Sequence, residues 1–367
     1  MNAPVVVVHV VVAGDIGGAE RFLVDLVTHS DASRVTHIVA LMTPNPALRE
    51  YFGVAGLSLV DRGHVRENPL AFLWRSLGPA DCRWLVNVID KHATNVVHCH
   101  TLGSHVLAVR AATKARLPVI RTEHAIGHYL DLTASPFTRW AARRTDRIVC
   151  ISDFVRRAVI RAEPLISPRT MRIHNGVDTK YFAPREVVAS QQPRFVVVAR
   201  LEKVKKVDFA IASMVHAKIA QLDIVGEGSQ RSALEGLTKA LGLEGRVRFV
   251  GYQRDPRPFI ADADALLSPS PVEGFGLSVI EAMAMGRPVI AVAGSAVDAI
   301  IEDGVTGFLV GSSSPRTFGQ TLAHLDRVEL RKMGMAAREA VLSQFSCERT
   351  VESYISLYEE LAARPHL

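Results

Sequence analysis

Two rhythms alternate along the chain. Short, unbroken apolar runs such as "VVVVHVVVA" from Val5, "THIVALM", "NVVHCH", "LPVIRT" and "DRIVCIS" each stand beside a longer helical or loop stretch in the first half. The second half repeats the alternation with "RFVVVARL", "QLDIVGEG", "RVRFVGY", "DALLSPS" and "RPVIAVAG". Runs that are apolar throughout, rather than alternately apolar and polar, predict parallel strands covered on both faces. The pattern is that of an α/β protein with one doubly wound sheet in each half. It breaks over residues 171–194, where Asn-Gly, a proline and a polar Ser-Gln-Gln-Pro stretch predict a hinge. The expected organisation is a first domain over 1–178, a second over 179–346, and a tail over 347–367. In that tail a helix over Cys347–Ala363 places Val351, Tyr354, Ile355, Tyr358 and Leu361 on one apolar face that must find a surface to lie on.

With 367 residues the chain is long enough for two cores. Its 48% hydrophobic and 22% charged residues suit an ordinary globular protein. The first apolar run has no basic segment before it and falls short of the ~20 residues a membrane span needs. The four cysteines, Cys82, Cys99, Cys150 and Cys347, have no paired spacing, which leads us to expect a reducing cytoplasm. The formal charge of +6 is uneven: residues 1–180 hold 22 basic and 15 acidic residues, and the remainder 21 and 22. A basic first half can approach an anionic membrane surface, although a solvated arginine-rich face explains it as simply. Dispersed charge without a helix-turn-helix, zinc-ligand or aromatic-basic pattern excludes a nucleic-acid partner.

Ligands of open α/β sheets sit beyond the carboxyl ends of the strands, so chemistry is sought there. In "SPVEGFGLSVIEAMAMGRPV" (270–289), Glu273 and Glu281 flank a Gly-Phe-Gly turn that passes from a strand into a helix beginning at Leu277. Gly274 and Gly276 permit close approach to a ligand, and the first N–H groups of the helix favour a diphosphate. Beside such a site the two carboxylates suit hydrogen bonds from sugar hydroxyls better than the acid-base work of a glycosidase. Arg200 and Lys205, after the strand of "VARLEKVKK", are placed to stabilise charge on a departing diphosphate without a metal; Lys206 reads as a solvated neighbour. Gly226 in "IVGEG" and Gly17 and Gly18 in "AGDIGGAE" mark further close-approach loops, neither of which has the full dinucleotide glycine order. His124, after "LPVIRT", can hydrogen-bond a substrate hydroxyl. His98 and His100 share a strand face, but with only His124 in view as a third ligand they do not predict a metal. The acidic "DAD" at 262–264 reads as a helix-to-strand junction.

Taken together, these residues resemble the retaining GT-B glycosyltransferases of glycosyltransferase family 4. The resemblance runs through "GGAERFLVDL", "TDRIVCIS" and "IHNGVD", and is strongest in "PSPVEGFGLSVIEAMAMGRPVIA", which matches the family's pattern of two glutamates separated by seven residues. It implies two facing Rossmann-like domains with a central cleft and a C-terminal helix crossing back to the first. It also implies a metal-independent transfer that keeps the anomeric configuration, by a same-face route in which the leaving phosphate helps deprotonate the acceptor. Glu281 would contact the ribose and Glu273 the transferred sugar, with backbone N–H groups of Phe275, Gly276 and Leu277 offered to sugar or phosphate. Arg200 and Lys205 would hold the diphosphate, His124 would sit by the sugar near the acceptor, and Gly17 and Gly18 near the donor phosphates. No cofactor is expected beyond the UDP-, GDP- or other nucleotide-sugar donor. The acceptor would be a saccharide or lipid-linked, in polysaccharide, glycan or glycolipid synthesis, and the protein cytoplasmic or peripheral on the inner membrane face. The chain departs from the family where Lys206 replaces a frequent glycine and where "GSAVDAI", with Ser295, Val297 and Asp298, replaces Gly-Gly-x-Pro-Glu. The alternatives are a nucleotide-sugar epimerase of the same fold and a non-catalytic sugar-nucleotide binder.

Overall fold

The computed structural model describes residues 3–12, 16–43, 45–63, 75–185, 192–311 and 314–364. Part of the "AGDIGGAE" loop and of the expected hinge therefore lies outside the described residues. Two compact units emerge: Met1–Gly176 together with Cys347–Leu367, and Val177–Ser346.

The first unit is built on a parallel sheet of β1 (Val5–Val11), β2 (Val35–Leu41), β3 (Leu59–Asp61), β4 (Val96–Cys99), β5 (Val119–Glu123), β6 (Arg147–Cys150) and β7 (Thr170–Arg172). Its spatial order is β3-β2-β1-β4-β5-β6-β7. β1 shows why an unbroken valine run makes a central strand. Side chains alternate across the sheet, so Val8 and Val10 pack with Leu85, Val106 and Leu107 on one face. Val7 packs with Phe22, Leu26 and Tyr354 on the other.

That second face is closed by the helix Cys347–Ala362, in which Val351, Tyr354, Ile355, Tyr358 and Leu361 are all buried. Polar contacts fix its register. The Tyr358 hydroxyl lies 2.8 Å from His98 Nδ1 and the Tyr354 hydroxyl 2.9 Å from Thr122 Oγ1. Arg34 pairs with both Glu352 and Glu359 at 2.8 Å.

The second unit carries β8 (Arg194–Val198), β9 (Gln221–Val225), β10 (Val247–Gly251), β11 (Ala265–Ser268), β12 (Val289–Val292) and β13 (Gly307–Val310), ordered β10-β9-β8-β11-β12-β13 and parallel throughout. Several expected bounds shift. β1 ends at Val11 and β8 at Val198, and beyond β8 the chain stays beside the end of β9 through the Ala199 N–H on the Val225 carbonyl (3.1 Å) and the Leu201 N–H on that of Glu227 (2.8 Å). Met171 and Arg172, assigned to the hinge from sequence, belong to β7 and pair with Val149 and Cys150 of the first sheet.

Candidate functional site

The order of the second sheet reverses between β8 and β11, and the crevice beyond two such strands is where open α/β sheets bind ligands. Arg200 follows β8 directly and is exposed, with no partner for its guanidinium among the described residues. A single 3-10 turn over Lys203–Lys205 comes next, ending on Lys206 at φ 52°. That left-handed conformation disfavours a residue with a Cβ, which accounts for glycine at this point in the related pattern. Lys205 Nζ lies 2.6 Å from Glu273 Oε1, in the loop after β11. Expected to serve separate tasks, the two residues are joined in the structure as an ion pair.

The Glu273 loop is held from several sides. Ser270 Oγ sits 3.1 Å from the Val204 and Val272 carbonyls, and the Ala296 N–H donates to the Glu273 carbonyl at 3.2 Å. Phe275 is buried edge-on against Phe345, 5.9 Å between ring centres, so its side chain is an anchor of the loop. Gly276 caps the helix Leu277–Ala284 at φ 93°; a Cβ there would meet Val279 at 3.1 Å and Val297 at 3.3 Å. Leu277 opens the helix, whose first N–H groups the helical ladder cannot satisfy. Glu281, in the second turn, is buried.

The "GSAVDAI" segment closes this neighbourhood. Its Gly294 N–H donates to the Asp298 carboxylate (2.9 and 3.0 Å), and the buried Ser295 Oγ has no partner among the described residues. Gly226 has a different reason for being glycine than the one expected. At φ 145° its added Cβ would fall 1.9 Å from the Ala199 carbonyl oxygen, so the close approach is to the chain's own backbone.

In the first unit the order reverses between β1 and β4. Gly17 caps the helix Gly18–Thr28, yet its N–H is not bare: it donates to Glu20 Oε2 at 2.8 Å. The expected ligand contact from that amide is therefore corrected to a capping bond, readable in hindsight from a glycine followed three residues later by glutamate. Gly18 is exposed. His124 follows β5 with its Nε2 buried and unpartnered among the described residues, and packs 5.4 Å from the Phe22 ring. Burial, with the Arg121 charge adding to it, lowers its pKa to about 3. It is a neutral imidazole at physiological pH, suited to hydrogen bonding.

Just before it lies a buried charge cluster that the sequence did not announce. Arg121 donates to Glu123 Oε2 at 2.8 Å, Tyr129 donates to Glu123 Oε1 at 3.0 Å, and His128 Nε2 stands 3.1 Å from the same carboxylate. Burial alone would raise the Glu123 pKa, but Arg121 and His128 hold it well below the usual carboxylate range.

The third histidine beside His98 and His100 is His9, not His124. His9 Nδ1 lies 3.1 Å from His100 Nε2, and its Nε2 lies 2.8 Å from His37 Nδ1. Ligand atoms of His9, His98 and His100 fall within 4.8 Å of one another. Both nitrogens of His98, however, are engaged by Tyr358 and Thr122 at 2.8 Å, and a metal would have to displace a protein hydroxyl. Asp264 of "DAD" receives the Arg194 N–H (2.9 Å) and the Arg327 guanidinium (2.8 Å), as a structural junction does.

Residues 16–181 match Glycosyltransferase Family 4 and residues 192–326 match Glycosyl transferases group 1. EpsD of Bacillus subtilis, named as a glycosyltransferase, is 33% identical over 306 residues, covering 75% of this chain and 79% of that one. The chain belongs to glycosyltransferase family 4. N-acetyl-alpha-D-glucosaminyl L-malate synthase of Bacillus anthracis is similar to this family 4 enzyme at 26% identity, over 76% of the chain and 77% of the relative. Among solved structures, HepE of Anabaena in complex with UDP and glucose superposes with a TM-score of 0.84 at 19% identity, covering 97% of this chain and all (100%) of that one. Sucrose-phosphate synthase of Thermosynechococcus elongatus does so at 0.82 and 21% identity, over 98% and 99%. These likenesses give the GT-B fold; the relatives give the activity class, a glycosyltransferase, and nothing among them supports the epimerase alternative. Among the described residues no helix is long and apolar enough to cross a membrane.

Proposed function

We propose that this glycosyltransferase takes a sugar from a nucleotide-sugar donor, without a metal and with retention of configuration, and passes it to a saccharide or lipid-linked acceptor in glycan synthesis. The observation that carries the reading is the meeting of Arg200, the Lys205–Glu273 pair and the Gly276-capped helix at the switch point of the second sheet. HepE, of the same fold, has been crystallised with UDP-glucose, which supports a nucleoside diphosphate there.

In this reading the bond from the anomeric carbon to the diphosphate breaks as the acceptor oxygen bonds to that carbon on the same face. The acceptor proton passes to the leaving phosphate oxygen. Arg200 and Lys205 stabilise the charge that collects on the diphosphate, where fixed cations act most strongly. As Lys205 turns to phosphate, Glu273 is released to accept hydrogen bonds from the transferred sugar. Glu281 accepts from the ribose, while the backbone N–H groups of Phe275, Gly276 and Leu277 face sugar or phosphate. On the first unit, neutral His124 hydrogen-bonds a sugar hydroxyl, and Gly18 leaves room beside the helix start for donor phosphate or acceptor. Gly226 shapes the second unit's loop through its fit to Ala199.

The test is thermal-shift stabilisation by UDP-, GDP-, ADP- and TDP-sugars in EDTA. A donor at 100 times its Kd should add about 2.7 kcal/mol. Losing one charge-assisted bond worth roughly 1.5–3 kcal/mol should weaken binding about 10- to 100-fold in Arg200→Ala and Glu281→Ala. Stabilisation by no donor, or only with a divalent metal, would overturn the reading.

A further inference from the structure

The loop and helix that follow His124 display apolar side chains to solvent from a rigid support. Leu130 is 70% exposed, Leu132 90%, Phe137 38% and Trp140 37%. In the helix Ser135–Ala142, Thr138, Ala141 and Ala142 face the interior, which leaves Phe137 and Trp140, three residues apart, on one outward stripe. Arg144, in the next turn, continues that stripe with its guanidinium 4.8 Å from the Trp140 ring centre.

This display is not a stray loop. Asp131 Oδ1 accepts the Thr133 N–H (2.8 Å) and Ala134 N–H (3.1 Å), and its carbonyl accepts the Ser135 N–H (2.8 Å), closing the turn that presents Leu132. The preceding helix, Gly127–Leu130, is latched to the sheet through the Tyr129 hydroxyl on buried Glu123. Apolar groups fixed in water at such cost mark a contact surface.

The charge around them selects the occupant. Arg139 and Arg144 have no carboxylate partner among the described residues, and against these two cations the surface sets one carboxylate, Asp131, which its turn hydrogen bonds keep ionised, so the balance is positive. A tryptophan and leucines interleaved with arginines suit the boundary between anionic headgroups and acyl chains. We infer that Leu130, Leu132, Phe137 and Trp140, with Arg139 and Arg144, form a docking surface for an anionic lipid bilayer. The inference rests on the lipid-linked reading of the acceptor; it does not depend on the donor site.

The experiment is flotation of the full chain with phosphatidylcholine vesicles, with and without phosphatidylglycerol, at low and high salt. Binding is expected on the anionic vesicles and should fall with salt. Arg139→Gln with Arg144→Gln should weaken it about 30-fold, and Leu132→Ser with Trp140→Ser at least about tenfold. Quenching of tryptophan fluorescence by brominated lipid should drop in Trp140→Phe. All variants should keep the donor-induced thermal shift, which shows that they are folded. No preference for anionic vesicles, or variants that float like the parent, would overturn the surface. So would a patch variant that changes only the oligomeric state, since the patch would then bind protein. Loss of the donor shift in the parent with flotation intact would instead count against the donor reading alone.

Discussion

Lowering the pH from 7.5 to 5 should destabilise the first unit far more than the second. His9, His37, His98 and His100 form one buried cluster under the helix Cys347–Ala362. Burial lowers all four imidazole pKa values, with neighbouring histidines adding to the effect for His9, His98 and His100, and His37 falls to about 4. These groups are neutral in the fold and titrate at ~6.5 once unfolded. The stability they hold is therefore complete above that value and lost as pH falls through the window toward the folded pKa, because the unfolded chain gains the protons first. With folded and unfolded values of about 4 and ~6.5, His37 alone favours unfolding by about 2 kcal/mol at pH 5 relative to pH 7.5. His9, His98 and His100 act in the same direction, so acid destabilises the first unit by more than His37 alone. The chain supplies its own probe: Trp74, Trp84 and Trp140 are all its tryptophans, and all precede the second unit. Guanidinium titrations followed by tryptophan fluorescence should show a midpoint that is clearly lower at pH 5, while circular dichroism retains the second unit's transition. His37→Gln should flatten the pH dependence by about one proton. Equal midpoints at the two pH values, or an unchanged slope in the variant, would refute the buried-neutral assignment.

Two further outcomes test the local arguments. Glu123→Gln strips the buried Arg121 of its counter-charge, and breaking such a pair from one side costs about 3–5 kcal/mol; a fluorescence-detected loss below about 1 kcal/mol would contradict the cluster. Gly226→Ala places a methyl 1.9 Å from the Ala199 carbonyl at φ 145°, so the second unit should lose more than about 2 kcal/mol by circular dichroism, with the tryptophan-detected midpoint unmoved.

What could be read in the sequence follows from how locally each feature is encoded. The central strands announced themselves, because burial on both faces forces unbroken apolar runs, and the final helix did so through its 3.6-residue spacing. β3, β7 and β13 did not: each is an edge strand of three or four residues, too short to show a pattern and paired only because a longer neighbour provides a template. The same division runs through the candidate site. The Gly-Phe-Gly turn and its two glutamates lie within one strand-loop-helix unit, so their spacing was visible. The Lys205–Glu273 pair joins residues 68 positions apart, and only the adjacency of β8 and β11 brings them together. His9 was hidden in the same way. It sits inside a valine run that reads as a strand, and it meets His100 only because β1 lies next to β4. Glycine gave the most ambiguous signal, since absence of a side chain says that something comes close without saying what: at Gly276 the tight fit shapes the turn beside the proposed ligand, and at Gly226 it admits the chain itself.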